Sequence, residues 1–498
     1  MRTVGIVVLL TLHWVYCIAQ QGNQWITGFG NIIDFNNDTA NSYMQCDTFN
    51  NAPYHFGHSS ICDSNGELLF AYTGILPIQK CINIIENGKP SINNHFATES
   101  HGHGELIQQS IILPKTGTQY YAIYSSASNV VFDSAQSGGE VYFDQLFYDL
   151  IDMNANGGDG KVIDKYHPIT LEGKMSINSM SAIRHANGRD WWLVKPHINK
   201  HFFYSFLATP DKVEGPFEQD MNGPDFISNN WGQSNFSQDG QYYALTQYGS
   251  ESIQINTFDR CSGKMSKYRS VSPPIDTNWY YDPIYMKDTF ELISAGTGVC
   301  FSPNNKFLYI VTPISVWQYD MNTEEIINLN TDTFYNGALN ITAYNAPDGR
   351  IYTGNWNGTN YGLSYIEFPN TKGKDAHFCQ ICLPTPFTTS VPPNMPNYEL
   401  GVLKGSSCDT IRPPKPIHDI IKIYPNPVSE NLTIELPTGS KKVHINIYNM
   451  LGEIVLSYTS EQIQNDKVEL SLKHLARALY STRINVDGNN YVGKLVKE

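Results

Sequence analysis

The sequence predicts an all-β protein. Charged residues make up only 16% and aromatic residues 12% of the 498 residues, a composition that suits strands better than helical bundles. Short apolar or aromatic runs alternate with Asn-Gly and Asp-Gly pairs, which favour the positive-φ turns of β-hairpins. No helix-length periodic segment interrupts this pattern. The net charge of −14 repels a phosphate backbone, so we expect no nucleic-acid partner.

Six predicted hairpins recur through residues 22–410. Their turns are anchored at Gly66, Gly117, Gly188, Gly240, Asn305 and Gly349. The intervals between anchors run from 44 to 71 residues, which is typical of propeller blades with loop insertions. A seventh blade is expected where the N-terminal strand, 25–35, joins the last strands, 378–383. We therefore predict a seven-bladed β-propeller, with six or eight blades as alternatives, because stacking around a ring buries faces that one blade leaves open.

The first residues have the pattern of a signal peptide. A short basic start precedes an apolar run over 4–12, and small residues stand at Cys17 and Ala19. We predict a signal peptide over 1–19. A membrane anchor is the alternative, but the run is shorter than the ~20 residues that span a bilayer. After removal of this segment, we expect no transmembrane segment.

The last part of the chain predicts a separate small domain. A proline-dense linker is expected over 411–420, because proline sustains neither a helix nor an interior strand. Apolar residues then alternate over 432–436, 443–448 and 468–472. This pattern indicates short strands and predicts a small β-sandwich over 421–498.

Several motifs of this tail carry a family resemblance. In order they are Tyr424-Pro425-Asn426-Pro427, the segment 445–452 ending in Gly452, Leu475-Ala476 with Leu479-Tyr480, and Gly493-Lys494-Leu495-Val496-Lys497. With Ala478 where the family usually has Gly, the tail resembles the type A C-terminal sorting domain of the type IX secretion system of Bacteroidota. The resemblance implies an Ig-like β-sandwich, the type IX machinery as partner, and Sec export followed by release or tethering at the cell surface.

The region before the tail carries a second resemblance. Stretches such as Phe236-Ser237-Gln238-Asp239-Gly240 and Pro393-Asn394-Met395-Pro396-Asn397-Tyr398 are similar to uncharacterised propeller regions that often precede such sorting domains. This resemblance implies a propeller fold and brings no activity with it.

Eight cysteines remain once the leader is removed, an even number that suits disulfides in an exported protein. Cys379 and Cys382 have the spacing of a redox site or half a zinc site. No second pair of this spacing accompanies them, and no βαβ pattern surrounds them. We therefore expect a structural disulfide, either within this pair or from one member to Cys408.

One histidine cluster is a candidate metal site. His101, His103 and Glu105 would share one face of a strand and could bind Zn²⁺, with His55 or His58 as a further ligand. The alternative is a Gly-spaced loop between blades.

Residues 152–157 begin like a calcium-binding EF-hand loop. Ile163 stands at the twelfth position, where a bidentate carboxylate is needed, so an Asn-Gly-Gly turn is favoured over a Ca²⁺ site. We accordingly predict no cofactor, with Ca²⁺ and Zn²⁺ as the alternatives.

Trp279, Tyr280 and Tyr281 follow two prolines in an irregular stretch and are predicted to lie on a loop at one mouth of the ring. There they could stack against an extracellular glycan or protein ligand. No nucleophile elbow, His-Glu-x-x-His motif or phosphate loop occurs. The first hypothesis is therefore a secreted or cell-surface binding module rather than an enzyme. The alternatives are a hydrolase of polysaccharide or peptide, with carboxylates at the channel mouth, and a purely structural surface protein.

Overall fold

A computed structural model describes residues 20–498, apart from gaps at 38, 45–56, 80–82, 90–105, 129–141, 221–231, 247–251, 275–279, 283–286, 291–295, 314, 331–339, 356–359, 410–414, 417–420, 438, 450–452, 462, 464–465 and 488. The chain divides into two compact units, Met1–Asp409 and Thr410–Glu498. The described parts of both are built from β-strands, with short 3₁₀ turns at Asn156–Gly158 and Gly373–Ala376.

The described part of the first unit contains seven antiparallel sheets in which consecutive strands are neighbours. Sheets 1 to 3 contain β1 (Gln24–Thr27), β2 (Asn31–Asp34), β3 (Asn41–Met44); β4 (Ser59–Cys62), β5 (Leu68–Tyr72), β6 (Pro77–Gln79), β7 (Asn83–Ile84); and β8 (Ser110–Pro114), β9 (Gln119–Ser126), β10 (Gln145–Asp152), β11 (Lys161–Thr170). Sheets 4 and 5 contain β12 (Ser181–Arg184), β13 (Trp191–Pro196), β14 (Phe202–Ala208), β15 (Val213–Asp220); and β16 (Ser234–Phe236), β17 (Tyr242–Leu245), β18 (Ile253–Asp259), β19 (Lys264–Val271).

A separate hairpin of β20 (Tyr280–Asp282) and β21 (Lys287–Phe290) follows sheet 5 in the chain. Sheets 6 and 7 contain β22 (Gly298–Phe301), β23 (Phe307–Val311), β24 (Val316–Asp320), β25 (Ile326–Asn328); and β26 (Asn340–Asn345), β27 (Ile351–Asn355), β28 (Asn360–Ile366), β29 (Phe378–Thr389). Each of the six predicted hairpins is present, as the first two strands of sheets 2 to 7.

Polar side chains of the turns explain why these hairpins form where the sequence predicts them. In the turn between β16 and β17, the Ser237 hydroxyl donates to Asp239 Oδ1 at 2.6 Å and accepts the Tyr242 N–H at 2.9 Å. Ser302, in the equivalent turn of sheet 6, makes the same pair of bonds with Asn304 and Phe307. Such local side-chain bonds stabilise a turn against extended alternatives.

Neighbouring sheets pack face to face through shared hydrophobic clusters. From sheet 1 to sheet 7, each sheet shares a hydrophobic cluster with the next one in the chain. Sheet 7 in turn shares a cluster with sheet 1. In that last cluster, Trp25 and Phe35 of the N-terminal region pack with Tyr344, Tyr352 and Leu383. First strands also lie side by side: β1 with β4, β4 with β8, β12 with β16, β16 with β22, and β22 with β26. The arrangement is therefore propeller-like.

The two ends of the first unit do not form one shared sheet, so the predicted way of joining them is wrong. The N-terminal strands form a three-stranded sheet of their own, whereas β29 completes sheet 7. The two sheets are linked by side chains instead: Asn31 Nδ2 donates to Phe387 O and Thr388 O at 3.1 and 3.0 Å, and the Phe387 N–H donates back to Asn31 Oδ1. Side-chain bonds and apolar packing thus replace the shared backbone ladder that we expected.

Residues 390–409, here called the crossing segment, follow β29 and form no strand. Close to its start the segment contacts Thr27, whose hydroxyl donates to Val391 O at 2.7 Å. Further along, Tyr398 donates its hydroxyl to Ile112 O in β8. Towards its end, the Leu403 N–H donates to Ala186 O. The first part of the crossing segment, 390–398, therefore runs past the first strands of several sheets and is mostly buried, whereas Glu399, Leu403 and Lys404 in its second part are exposed.

A buried carboxyl group lies in the core of sheet 3. Asp149 is 4% exposed, and it accepts hydrogen bonds from the Tyr72 hydroxyl at 3.1 Å and the Tyr166 N–H at 2.9 Å. Burial raises the pKa of Asp149 to about 6 from 3.8, although these two hydrogen bonds oppose the change. The proton is therefore held more tightly in the folded chain than in the unfolded chain.

This raised pKa predicts a pH-dependent difference between the wild type and Asp149→Asn. The contribution of protonated Asp149 is complete below pH 3.8 and is lost as the pH rises through about 6, which costs the wild type about 3 kcal/mol. Asparagine keeps an acceptor and cannot ionise. Urea unfolding at pH 4 and pH 7 should show the variant gaining most of this amount, relative to wild type, at the higher pH. An unchanged difference between the two pH values would contradict the assignment.

The second unit has two sheets around one hydrophobic core. Its strands are β30 (Lys415–Pro416), β31 (Lys422–Tyr424), β32 (Asn431–Glu435), β33 (Val443–Tyr448), β34 (Ile454–Ser460), β35 (Lys467–Ser471), β36 (Ala478–Val486) and β37 (Asn489–Lys497). One sheet has the order β30-β37-β36-β33-β34 and the other β31-β32-β35. The three predicted strands match β32, β33 and β35 to within one residue.

Within the part of the chain that the structure describes, no helix has the length and apolarity needed to cross a membrane.

Candidate functional site

A cavity of about 490 Å³ lies in the first unit, beside the crossing segment. Sheets 1, 4, 5 and 7, the residues just before β8, and the crossing segment all contribute to its wall. Most of the polar lining consists of amide and serine side chains: Gln20, Asn23, Gln108, Ser181, Ser234, Asn235, Ser237, Gln238, Asn345, Asn394 and Asn397. Its aromatic lining residues are Trp25, Phe35, Phe236, Tyr344 and Tyr398. Hydrogen-bonding side chains from distant parts of the sequence thus converge on one space.

Two buried glutamines hold the first strands together around this cavity. Gln108 accepts the Ser234 N–H at 2.9 Å and donates to Ser234 O at 2.9 Å. Gln233 accepts the N–H groups of Val299 and Ala343 at 3.0 and 2.9 Å, and donates to Ala343 O at 2.8 Å. Because both amides bond to backbone groups of separate first strands, they form a rigid frame.

Asn394 fixes the crossing segment at the same frame. Its Nδ2 donates to Ser110 O at 2.8 Å and Met180 O at 3.0 Å, and its Oδ1 accepts from Gln108 Nε2 at 3.2 Å. Its backbone N–H donates to His58 O at 2.9 Å. Asn394 therefore holds the segment to sheets 3 and 4 through its side chain, and to the start of sheet 2 through its backbone.

Two lining residues hold polar atoms with unmet hydrogen-bonding capacity. Asn345 donates through Nδ2 to Cys300 Sγ at 3.1 Å and Phe301 O at 2.9 Å, while its buried Oδ1 has no partner. Trp25 is fully buried, and its indole N–H also has no partner. An unpaired buried polar group costs about 1–3 kcal/mol, so these two atoms lower the stability of the wall, and because they are buried they do not face the cavity.

Glu399 is the only ionisable acidic or basic residue among the described lining residues, and it is exposed. The nearby Arg184 is occupied elsewhere: it donates to Gly188 O and Tyr398 O and stacks on Trp191 with its guanidinium carbon 4.1 Å from the ring centre. Burial lowers the pKa of Arg184 to about 10, so it remains charged at neutral pH. The cavity wall itself is nearly neutral.

The aromatic residues predicted to bind a ligand are placed differently from expectation. Tyr280 and Tyr281 belong to β20, which pairs with β21, so the irregular loop predicted here is a β-hairpin over these residues. Trp279 lies outside the described residues. A binding role for the three remains a prediction.

The predicted zinc ligands His101, His103 and Glu105 lie outside the described residues, as does His55. His58 is buried, and its Nε2 lies 2.8 Å from Ile26 O. The calcium-like segment forms the turn between β10 and β11, where the Asp152 carboxylate accepts bonds from Thr118 Oγ1 and the Asn154 N–H. Within the described ranges, no three His, Cys, Asp or Glu residues are grouped to hold a metal.

The structure pairs Cys379 with Cys382 and Cys408 with Cys261. The expected alternative, a bond from Cys408 to one member of the close pair, is therefore wrong. The second disulfide anchors the end of the crossing segment to the turn between β18 and β19. Cys62 and Cys300 are buried and unpaired, and burial raises the pKa of the Cys62 thiol to about 12, so it stays protonated.

In the second unit, residues of the first and last predicted motifs meet. Asn426 donates through Nδ2 to Lys494 O at 2.9 Å and accepts the Val496 N–H at 2.9 Å. Val428 forms a parallel bridge with Lys497. Tyr424, Pro425, Asn426, Pro427 and Lys494 are exposed, whereas Lys497 is 9% exposed. Gly452 lies outside the described residues.

A family model of known proteins matches this part of the chain. The model is the secretion system C-terminal sorting domain, and it matches residues 422–498. Residues 422–498 are a C-terminal sorting domain. The domain marks the chain as a cargo of the type IX secretion system, bound for the cell surface or the extracellular space, and implies the secretion machinery as a partner.

Solved structures similar to this chain are distant from it. The extracellular domain assigned to a one-component system of Bacteroides thetaiotaomicron is 12% identical, with a TM-score of 0.35; the match covers 96% of this chain and 56% of that one. A quinoprotein alcohol dehydrogenase-like protein of the same species is 11% identical (TM-score 0.35, 74% and 78% covered). The periplasmic gluconolactonase of Pseudomonas aeruginosa is 10% identical (TM-score 0.34, 58% and 88% covered). No curated protein matches the chain.

Sequence reasoning did not identify the cavity residues as a site. Asn and Gln have no characteristic spacing, and these come from separate sheets. In the sequence, the stretch from Pro393 to Tyr398 carries only a family resemblance, although it supplies Asn394 and Asn397 to the cavity wall.

Proposed function

We propose that the first unit is a seven-bladed β-propeller that acts outside the cell as a binding module, with its ligand site in the cavity beside the crossing segment. The observation that carries this proposal is the convergence of polar side chains from four sheets on one cavity of about 490 Å³. This volume lies within the range of small-molecule sites. The run of packed sheets, ending with sheet 7 against sheet 1, supports seven blades.

We further propose a signal peptide over 1–19, the propeller over 22–410, a linker over 411–420 and an Ig-like sandwich over 421–498. The two sheets of the second unit around one core support the last assignment. In this organisation the C-terminal sandwich directs export, and the propeller acts outside the cell.

The hydrolase alternative is less well supported. Glycoside hydrolysis ordinarily needs two carboxyl groups on either side of the scissile bond. The described cavity wall supplies one carboxylate, Glu399, and no histidine. Binding without turnover therefore fits the lining better than catalysis.

A cavity-filling variant tests the site. Ala346→Trp would occupy the cavity beside Asn345, whereas Thr116→Trp places the same side chain on an exposed turn outside it. We expect any compound that binds the secreted wild-type chain saturably to lose binding in the first variant and keep it in the second. Calorimetry gives the binding, and product analysis gives turnover. Binding that survives Ala346→Trp would contradict the site, and turnover would favour the hydrolase.

Deleting residues 412–498 tests the export route. The truncated protein should remain in the periplasm, because it lacks the domain that the type IX machinery recognises. Cell fractionation with immunodetection of the first unit measures this directly. If the truncated protein reached the medium, the tail would not be required for export.

A further inference from the structure

We infer that the cavity binds an uncharged carbohydrate; this rests on the proposed function and specifies its ligand class. A sugar presents many hydroxyl groups, each of which can donate one hydrogen bond and accept others. Its ring also presents apolar C–H faces. A wall that binds such a ligand must therefore be polar, neutral and partly aromatic.

The kinds of hydrogen-bonding atom on the wall decide which ligands it can pair with. A hydroxyl group can pair with donors and acceptors alike, whereas a purely accepting ligand, such as a carboxylate or phosphate, can pair only with donors. The unpartnered Asn345 Oδ1 and Trp25 indole N–H are themselves buried, so a ligand in the cavity does not reach them. Pairing with a ligand therefore depends on the half-buried side chains of the wall.

The half-buried amides of the wall offer both a hydrogen-bond acceptor and a hydrogen-bond donor. Asn235 donates through Nδ2 to Val299 O at 3.3 Å, which leaves its Oδ1 as an acceptor without a partner in the described chain. Asn397 donates through Nδ2 to Gln238 Oε1 at 3.0 Å, which leaves Gln238 Nε2 as a free donor by the same criterion. Because one half of each amide is held by the protein, the orientation of the other half is set before a ligand arrives.

The charge of the wall argues against ionic ligands. Its described part holds no Lys, Arg or His, so the negative charge of an acidic sugar or a phosphate would be buried without a counter-ion, which is costly. A cationic ligand would find one carboxylate, that of Glu399, and it is exposed. The net charge of −14 adds repulsion for any anion.

The apolar lining fits a sugar better than a peptide. Phe35, Phe236 and Tyr344 are at most 6% exposed and line the same cavity as the amides, so C–H groups of a sugar ring could pack on their edges. Peptides are commonly bound by main-chain pairing along an open strand edge. The polar groups of this wall are mainly side chains, and the backbone of Ala343 beside it is already paired to Gln233.

Calorimetric titration of the secreted full chain tests this inference. The probes are neutral oligosaccharides (glucose, xylose, mannose and N-acetylglucosamine series), an oligogalacturonate, and an uncharged tetrapeptide. We expect saturable binding of at least one neutral series and none of the oligogalacturonate. Asn235→Leu should weaken that binding about tenfold or more, because it removes a hydrogen-bond acceptor from the cavity wall. Gln119→Leu, which removes a half-buried amide on β9 outside the cavity, should leave it unchanged. Thermal unfolding verifies that both variants fold.

Each other outcome has a distinct meaning. Failure of every neutral series overturns the ligand class. If the oligogalacturonate or the tetrapeptide then binds and Ala346→Trp abolishes that binding, the proposed function stands and only the ligand class falls. If a neutral series binds equally well to Ala346→Trp, the site is elsewhere and the proposed function falls with it. Equal losses of binding in Asn235→Leu and Gln119→Leu would also overturn the inference, since the amide in the cavity wall would then contribute no more to binding than an amide outside it.

Discussion

The double variant Cys261→Ser/Cys408→Ser is expected to lower the free energy of unfolding far more than loss of the other described disulfide. The two cysteines are 147 residues apart in sequence. In the chain-entropy account, cross-linking a loop of this length stabilises the fold by about 5 kcal/mol, because it restricts the unfolded chain. The bond also fixes the end of the crossing segment. Urea unfolding of the oxidised proteins at pH 7 measures the effect.

Cys379→Ser/Cys382→Ser is the matched control. Its disulfide closes a loop with a sequence separation of only 3, for which the same account gives about 2 kcal/mol. The long-range variant should therefore unfold at clearly lower urea concentration than the short-range one. Equal midpoints, or the reverse order, would show that loop length does not govern the stability of this unit.

Asn394→Ala is expected to be the second most damaging change. The substitution removes the donor from Ser110 O and Met180 O, and both carbonyl groups lie in the interior beside the cavity. Leaving buried acceptors unpaired costs about 1–3 kcal/mol each, so we expect a loss of about 3 kcal/mol or more. The loss should be seen as a lower urea midpoint with little change in the slope of the transition.

Asn397→Ala is the control for this prediction. It lies on the same crossing segment, but it is half-buried and its Nδ2 bonds only to Gln238. We expect a loss of about 1 kcal/mol or less, as for a partly solvated hydrogen bond. If Asn394→Ala were no more damaging than Asn397→Ala, the buried amide would not be what holds the segment in place.

The hairpins could be predicted from sequence because their signals are local. Asn65-Gly66 and Asp239-Gly240 specify a turn through backbone conformation and nearby side-chain bonds, as the positive φ values of Gly66 and Gly240 show. The alternation of apolar residues then extends each turn into two strands. The sorting domain could be predicted for the same reason, since each of its motifs is a continuous stretch and the motifs follow one another in a fixed order.

Two features could not be predicted in the same way: the contact between the two ends of the first unit, and the cavity. Asn31 reaches Phe387 and Thr388 across more than 350 residues of chain, and an isolated asparagine gives no sign of such a partner. Gln108, Ser234 and Asn394 meet for the same reason, through the packing of separate sheets. Pairing of Cys408 with Cys261 likewise depends on the path of the crossing segment, which contains no periodic pattern.

The position of the crossing segment has a consequence for biosynthesis. Its residues are the last of the first unit to be translated, yet those over 391–398 are largely buried and contact sheets made much earlier. A nascent or prematurely terminated chain thus lacks part of its own interior, and native long-range contacts of this kind form slowly. The sorting domain is encoded after residue 409. A polypeptide therefore carries the domain that directs its export only once it also contains every residue of the first unit.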